Sequence, residues 1–285
     1  MQNKHVELKK YLTMHIGGIA ENFYVPVSEE ELCALAVSLK DEDVRILSGG
    51  SNILANDTIS YKHVIYMKKA CLDKKSSGGG VFYIGSSNRI QDVIHYVNSQ
   101  GYGGFEELIG LPALFGGVIV MNAGIGGKGK ALFTISEYVT CVKVWNKSKE
   151  HVEWITKDKC AFSHRCSIFK DGDYIVLGAE LVLPEQTIAD SVRRIKTRSE
   201  YCKANQTWGR GCFGSLFSEY TGTVLKVIAA IQPRHGGIYF ANKNKNWLVN
   251  DGNGTFEDVY GIINVCQKVH KLIGRPCKCE VIIWR

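Results

Sequence analysis

Little in this sequence is concentrated in one place. No stretch carries the roughly 18 or more uninterrupted apolar residues of a membrane-spanning helix, so a membrane protein is not expected. The N-terminus, Met1 to Lys10, is polar and lacks the apolar core and small-residue cleavage site of a secretory leader. A cytoplasmic protein is expected. Ten cysteines lie singly along the chain apart from Cys277 and Cys279, which argues against a disulfide-stapled domain and for free, mostly buried thiols. The Cys277-Lys278-Cys279 pair has no second Cys/His cluster at zinc-like spacing, so no metal is expected. The formal charge of +7 is spread rather than gathered into an arm or stripe, and no aromatic residues interleave with a basic run. Nucleic acid is therefore not the expected partner, whereas a basic enzyme that handles anionic diphosphates suits the charge. Repeats and low-complexity tracts are missing as well.

What is present is an ordinary globular composition, 45% hydrophobic and 22% charged, in a chain long enough for two or three subdomains. A capping box of Ser28 and Glu31 ahead of Leu32, Leu35, Ala36 and Leu39 predicts a helix, and Val44 to Leu47 a short buried strand. The three glycines of Ser76 to Gly80 predict a flexible turn and a subdomain joint. Val81 to Ile84 reads as a strand and Ser86 to Gln100 as a helix closed by Gly101. Val142 and Val144 are expected to pair with Val152 and Trp154 across Asn146 to Glu150. Tyr174 to Leu183 reads as a strand stopped by Pro184. Thr187 to Lys203 reads as a surface helix with Ile188, Val192 and Ile195 on one face. Thr255 caps a helix through Ile273 that Gly274 and Pro276 end, and Glu280 to Trp284 forms a last strand. Hairpins and helices are segregated, which favours α+β over a doubly wound sheet.

Two glycine-rich segments carry the chemistry. In Ser48-Gly49-Gly50-Ser51-Asn52 the adjacent glycines permit positive φ and remove side chains that would block a ligand, so several N–H groups can converge on an anion. By itself this also reads as a plain tight turn. The second segment, Gly110-Leu111-Pro112-Ala113-Leu114-Phe115-Gly116-Gly117, runs into Asn122-Ala123-Gly124. The two could line opposite sides of one dinucleotide, or their glycines could serve close packing alone.

These residues resemble a known family. Leu47 to Leu54, including Ile53, is similar to the first FAD loop of the UDP-N-acetylenolpyruvoylglucosamine reductases, and Gly110 to Gly124 to their second FAD segment. Thr13 to Ala20 resembles their N-terminal signature, and further blocks extend the likeness through Glu280. The shorter class, without an extra substrate-covering loop, fits the spacing between Ser215 and Asn250.

The resemblance implies two FAD-binding subdomains of the vanillyl-alcohol-oxidase type, 1–75 and 76–184, and a substrate-binding α+β subdomain, 185–285. It implies FAD and NADPH as cofactors, a nucleotide-sugar substrate, UDP-N-acetylglucosamine enolpyruvate, and a monomer. FAD would be held by Ser48, Gly49, Gly50, Ser51, Asn52, Ile53 and Leu54 and by Gly110, Pro112, Gly116, Gly117, Asn122, Ala123 and Gly124. Arg165, in His164-Arg165-Cys166-Ser167, would meet the substrate carboxylate with a planar, permanently charged fork. Ser215, in Gly214-Ser215-Leu216-Phe217, would protonate the carbanionic carbon, and Glu280 would assist. Phe213 and Phe217 exclude the Gly-x-Ser-x-Gly elbow of a hydrolase. Arg234 and Lys243 are the candidates for the substrate diphosphate.

The sequence departs from the family pattern at His164, Ala113, Ile282, Ser218-Glu219-Tyr220 and Asn244. Because several of these fall on the substrate side, a flavin oxidoreductase with another substrate, or a flavin-binding protein without this turnover, stands beside the leading reading.

Overall fold

The computed structural model describes residues 2–127, 130–207 and 211–285. Its contacts divide the chain into two compact units, one of residues 1–3, 23–49 and 63–200 and one of 4–22, 50–62 and 201–285. The expected division into 1–75, 76–184 and 185–285 follows the chain in order, whereas the observed units are each assembled from separate stretches. Both units mix helices and sheets, and the fold is α+β as expected.

The first unit is built on an antiparallel five-stranded sheet. Its strands run in the order His151–Thr156, Val139–Asn146, Tyr174–Val182, Val81–Gly85 and Lys74–Gly78. Along Tyr174–Val182, Ile175 and Leu177 join one apolar cluster and Val176, Ala179 and Leu181 another; the register shift between Val176 and Gly178 reverses the alternation there, and both faces of the sheet are covered. One cluster is shared with helix α1, Glu29–Ser38, and with Ile65 of the strand that pairs parallel to Val44–Leu47. The other is shared with α2, Ile90–Ser99, and α3, Phe115–Val120, through Val93, Val97, Phe115 and Ile119, all essentially inaccessible.

Several local expectations change. Ser28 Oγ accepts from the Glu31 N–H, but the Glu31 carboxylate reaches back to the Val27 N–H, one residue beyond the cap. Ser76 to Gly80 forms a hairpin turn: Ser76 and Gly78 lie in a strand paired with Phe82 and Val81, and Gly78, Gly79 and Gly80 all take positive φ. Helix α2 begins at Ile90 because the backbone from Ser86 to Asn88 is bonded elsewhere, Ser86 N–H to the Leu177 carbonyl and Ser87 N–H to that of Cys71. In the 139–156 hairpin Val142 faces Ile155 and Val144 faces Glu153, one position off the expected register. The four residues between Asn146 and His151, with Glu150 at φ 54°, set that register, and Trp154 is left half-exposed.

Helix α4, Ile188–Asn205, carries residues of both units. Of its expected apolar face, Ile188 and Val192 are solvent-facing while Ile195 packs against the first unit's core, and Ser191 and Cys202 are buried. The second unit holds an antiparallel sheet of Arg234–His235, Ile238–Phe240 and Leu248–Asn250, with helices α5, Gly222–Ile231, and α6, Phe256–Leu272. Thr255 caps α6 as expected, its hydroxyl accepting from Asp258 N–H while Asp258 accepts from Thr255 N–H. The C-terminal segment is two short strands, not one: Lys278–Cys279 pairs with Phe217–Glu219, and Ile282–Trp284 lies parallel to Ile53–Ala55. Leu54, Phe217, Ile238, Leu248, Val259 and Ile263 form this unit's core.

All ten cysteines are free, but only Cys71, Cys160, Cys202 and Cys266 are fully buried. Among the described residues, no helix is long and apolar enough to cross a membrane and no group of three His, Cys, Asp or Glu is placed for a metal.

Candidate active site

The first glycine-rich segment leaves the strand Val44–Leu47 and enters Ile53–Ala55. Gly50 has φ +65°, and a Cβ there would stand 2.1 Å from the Tyr11 carbonyl, so no other residue fits this turn. The Gly50 carbonyl accepts from Thr13 N–H at 3.1 Å. A Cβ on Gly49 would lie 3.1 Å from the Leu114 nitrogen and 3.2 Å from Ala113 Cα, and one on Gly117 would lie 3.1 Å from Ser48 Oγ. Within the first unit, then, the two glycine-rich segments are neighbours. Close packing and ligand binding, the two readings of these glycines, are not alternatives: Gly49 is needed for contact with the second segment.

The donors of the turn are unspent. The N–H groups of Gly49, Gly50 and Ser51 meet no acceptor among the described residues, and Ser48 Oγ is buried without a partner there. A buried orphan hydroxyl beside a row of free amides is the chemistry of an anion cradle, and it fits the diphosphate of FAD.

The second segment contributes differently residue by residue. Gly110 ends a 3-10 turn and Pro112 is exposed. Phe115 and Gly116 donate their N–H groups to the carbonyls of Asn88 and Ser86, and a Cβ on Gly116 would sit 2.8 Å from that of Ser86. Gly124 passes so close to the Phe133 carbonyl that a Cβ would reach 2.2 Å from it. Asn122 is 2% exposed, and its side chain bonds protein on both ends: Nδ2 donates to the Ser163 carbonyl at 2.9 Å and Oδ1 accepts from Ser136 N–H at 3.2 Å.

Arg165 sits in the turn closed by reciprocal bonds between Ser163 and Cys166, at 3.0 and 3.2 Å, with φ +57°. Its Nη2 donates to the Gly124 carbonyl at 2.8 Å, so the guanidinium is anchored to the second glycine-rich segment. Ser167 adds a bond from Oγ to the Val120 carbonyl at 2.7 Å.

In the second unit, Ser215 and Glu280 are brought together. Glu280 N–H bonds the carbonyl of Leu216, the residue after Ser215, at 2.9 Å, and Ser215 bridges to Trp247. The 4%-exposed Asn246 clamps this loop, accepting from Phe217 N–H at 2.9 Å and donating to the Phe217 carbonyl at 2.8 Å. Sequence reading missed that role, although the Asn-Trp-Leu-Val-Asn run marks the place. Asn250, at its far end, donates to the Met14 carbonyl at 3.0 Å, joining the N-terminal signature to the block. Asn244, a departure from the family pattern, builds the turn that presents Asn246: its Oδ1 accepts from Asn246 N–H and its carbonyl from Trp247 N–H. The other candidates are engaged elsewhere. Arg234 is exposed, ion-paired with Asp251 at 2.6 Å and stacked over Tyr239, while Lys243 bonds the Lys203 carbonyl.

No family model matches the chain. Individual proteins do. It is 25% identical to UDP-N-acetylenolpyruvoylglucosamine reductase of Fusobacterium nucleatum over 98% of each chain. It is 28% identical to the protein of that name from Carboxydothermus hydrogenoformans, over 97% of this chain and 90% of the other. The crystal structure of UDP-N-acetylenolpyruvylglucosamine reductase from Thermus caldophilus shares the fold over 100% of both chains, with a TM-score of 0.78 at 22% identity. Over nearly its whole length the chain is similar to UDP-N-acetylenolpyruvoylglucosamine reductases. The structural match covers both units.

Proposed function

We propose that this protein reduces UDP-N-acetylglucosamine enolpyruvate to UDP-N-acetylmuramate with FAD and NADPH, in the synthesis of peptidoglycan precursors. The observation that carries the reading is the full-length likeness to reductases of that name, joined to a first segment whose free amides and orphan Ser48 hydroxyl suit a diphosphate. When bound, FAD supplies the redox chemistry, accepting hydride from NADPH and delivering it to the enolpyruvyl double bond. Ser48 to Leu54 and Gly110 to Gly124 hold the cofactor in this reading, within FAD-binding subdomains 1–75 and 76–184, and 185–285 binds substrate.

The remaining work falls to three side chains. Arg165 offers a fixed cation to the substrate carboxylate and to the negative charge that develops as the double bond is reduced; such a preorganised donor contributes on the order of 10²–10³ in rate. Ser215 gives its proton to the carbanionic carbon, and Glu280 supports the enolate by hydrogen bonding. Arg234 and Lys243 bind the substrate diphosphate only after exchanging their present partners, Asp251 and the Lys203 carbonyl. The working state is a cytoplasmic monomer.

The test is spectroscopic. The purified protein should be yellow, bleach on anaerobic NADPH addition, and regain its colour when the enolpyruvyl nucleotide sugar is added without oxygen. Colour that returns only with oxygen would transfer the assignment to a flavin enzyme with another substrate, which the departures at Ser218, Glu219 and Tyr220 favour as the second reading.

A further inference from the structure

We infer that Asn122 is a positioning residue for Arg165, tying the arginine's turn to the second glycine-rich segment rather than contacting the cofactor through its side chain. The inference rests on the role proposed for Arg165, and its geometric half can be tested without that role.

The turn that carries Arg165 is not self-sufficient. Arg165 occupies a left-handed backbone conformation, φ +57°, that costs a non-glycine residue free energy and that the surrounding structure must impose. Three bonds from one continuous segment impose it. Asn122 Nδ2 donates to the Ser163 carbonyl at the start of the turn, Gly124 accepts from the guanidinium itself, and Val120 accepts from Ser167 just beyond the turn. Asn122 is the member of this set that acts through its side chain, and its Oδ1 is fixed in turn by Ser136 N–H at 3.2 Å. It too has positive φ, +40°, a conformation asparagine tolerates better than most residues. With 2% of the residue exposed, each end of the amide is bonded to protein, and the side chain serves the fold at both its polar atoms. What it does instead is set the angle at which Ser163 to Ser167 leaves the segment, and hence the direction of the guanidinium.

The test uses Asn122→Gly, which keeps the positive φ while deleting both bonds, and Ser167→Ala, on the full-length protein reconstituted with FAD. Amide hydrogen exchange over residues 163–167 should quicken in Asn122→Gly; unchanged exchange would overturn the positioning claim outright. Reoxidation of the reduced protein by the enolpyruvyl substrate should slow on the order of tenfold to a hundredfold, by more than NADPH bleaching does. On an Arg165→Ala background the same Asn122→Gly change should add almost nothing, and an equal loss on both backgrounds would show a merely structural effect. If exchange quickens but Arg165→Ala alone leaves reoxidation unchanged, the positioning holds and the role proposed for Arg165 is what fails.

Discussion

Asn52 Nδ2 donates to the Glu280 carbonyl at 3.1 Å, and the N–H of Ile282 donates back to the Asn52 carbonyl at 3.0 Å. The last residue of the first glycine-rich turn therefore sets the place of the C-terminal glutamate within the second unit. Asn52→Ala removes one of these two bonds, at a cost of about 1 kcal/mol. A lowered urea midpoint together with a several-fold slower reoxidation by substrate is expected. Loss of stability alone would mean that Glu280 needs no help from Asn52 in the chemistry.

Ser215→Ala separates the two half-reactions. The hydroxyl is proposed as the proton donor for the second, so reoxidation by the enolpyruvyl substrate should fall by about 10²–10⁴ while NADPH bleaches the flavin at its usual rate. Stopped-flow absorbance resolves both. Equal loss in both phases would remove Ser215 from its assigned role and make it a part of the loop that Asn246 and Glu280 hold.

Much of this architecture was readable from the sequence, and the exceptions have a common cause. The Ser28 and Thr255 caps, the Val44–Leu47 strand and the α2 periodicity depend on residues a few positions apart, and these appear as expected. The register of the 139–156 hairpin was missed because it is set by the backbone conformation of the turn at Glu150, not by the valines. Helical spacing puts Ile188, Val192 and Ile195 on one face of the surface helix, yet Ile188 and Val192 face solvent and Arg194 ties the helix to Glu106 and Glu107 of a distant segment. At the site, the glycine motifs announced the two segments, but neither the contact of Gly49 with Ala113 nor the positive φ of Arg165 leaves a mark in composition or period.

The left-handed backbone at Arg165 makes its own prediction. Arg165→Gly and Arg165→Ala both lose the guanidinium and its bond to the Gly124 carbonyl, so they differ mainly in what φ +57° costs the new residue. Glycine should be the more stable of the pair by about 1–2 kcal/mol in chemical denaturation, while both are equally poor at reoxidation. If alanine matches glycine in stability, the turn has relaxed out of that conformation.

The thiols give a pH dependence. Burial pushes Cys71, Cys160, Cys266 and Cys277 from the ordinary 9.0 up to about 12. A folded-state value above the unfolded one means that stability is unaffected below about pH 9 and declines between about 9 and about 12, as the unfolded chain loses protons that the folded chain keeps. The urea midpoint should drop across that window. At pH 8, a small thiol reagent should leave these four unmodified until denaturant is added, whereas rapid labelling of Cys277 in the native protein would place it outside the apolar packing assigned to it.

The strongest single stability effect should come from a pair at the head of the 3-10 turn that Gly110 ends. Glu106 is 1% exposed, with Arg194 of α4 at 2.8 Å, and it also accepts from Asn98, Gln186 and the Gly104 N–H. Arg194 in turn bonds Glu107 through Nε and Nη2, at 2.9 and 2.7 Å. Truncating one member of a buried pair leaves the other charge uncompensated, and the usual loss is about 3–5 kcal/mol. Three neutral donors remain on Glu106 after Arg194→Ala, which places the expected loss at the lower end of that range. Arg194→Lys keeps the charge but not the fork that spans two glutamates and the Gly104 carbonyl, so it should recover only part of the stability. Replacing both partners, Arg194→Met with Glu106→Leu, removes the charges together and should lie closer to the parent than Arg194→Ala does. Should Arg194→Ala cost less than about 1 kcal/mol in urea denaturation, the pair behaves like a solvated surface bridge and the burial of Glu106 does not govern its energetics.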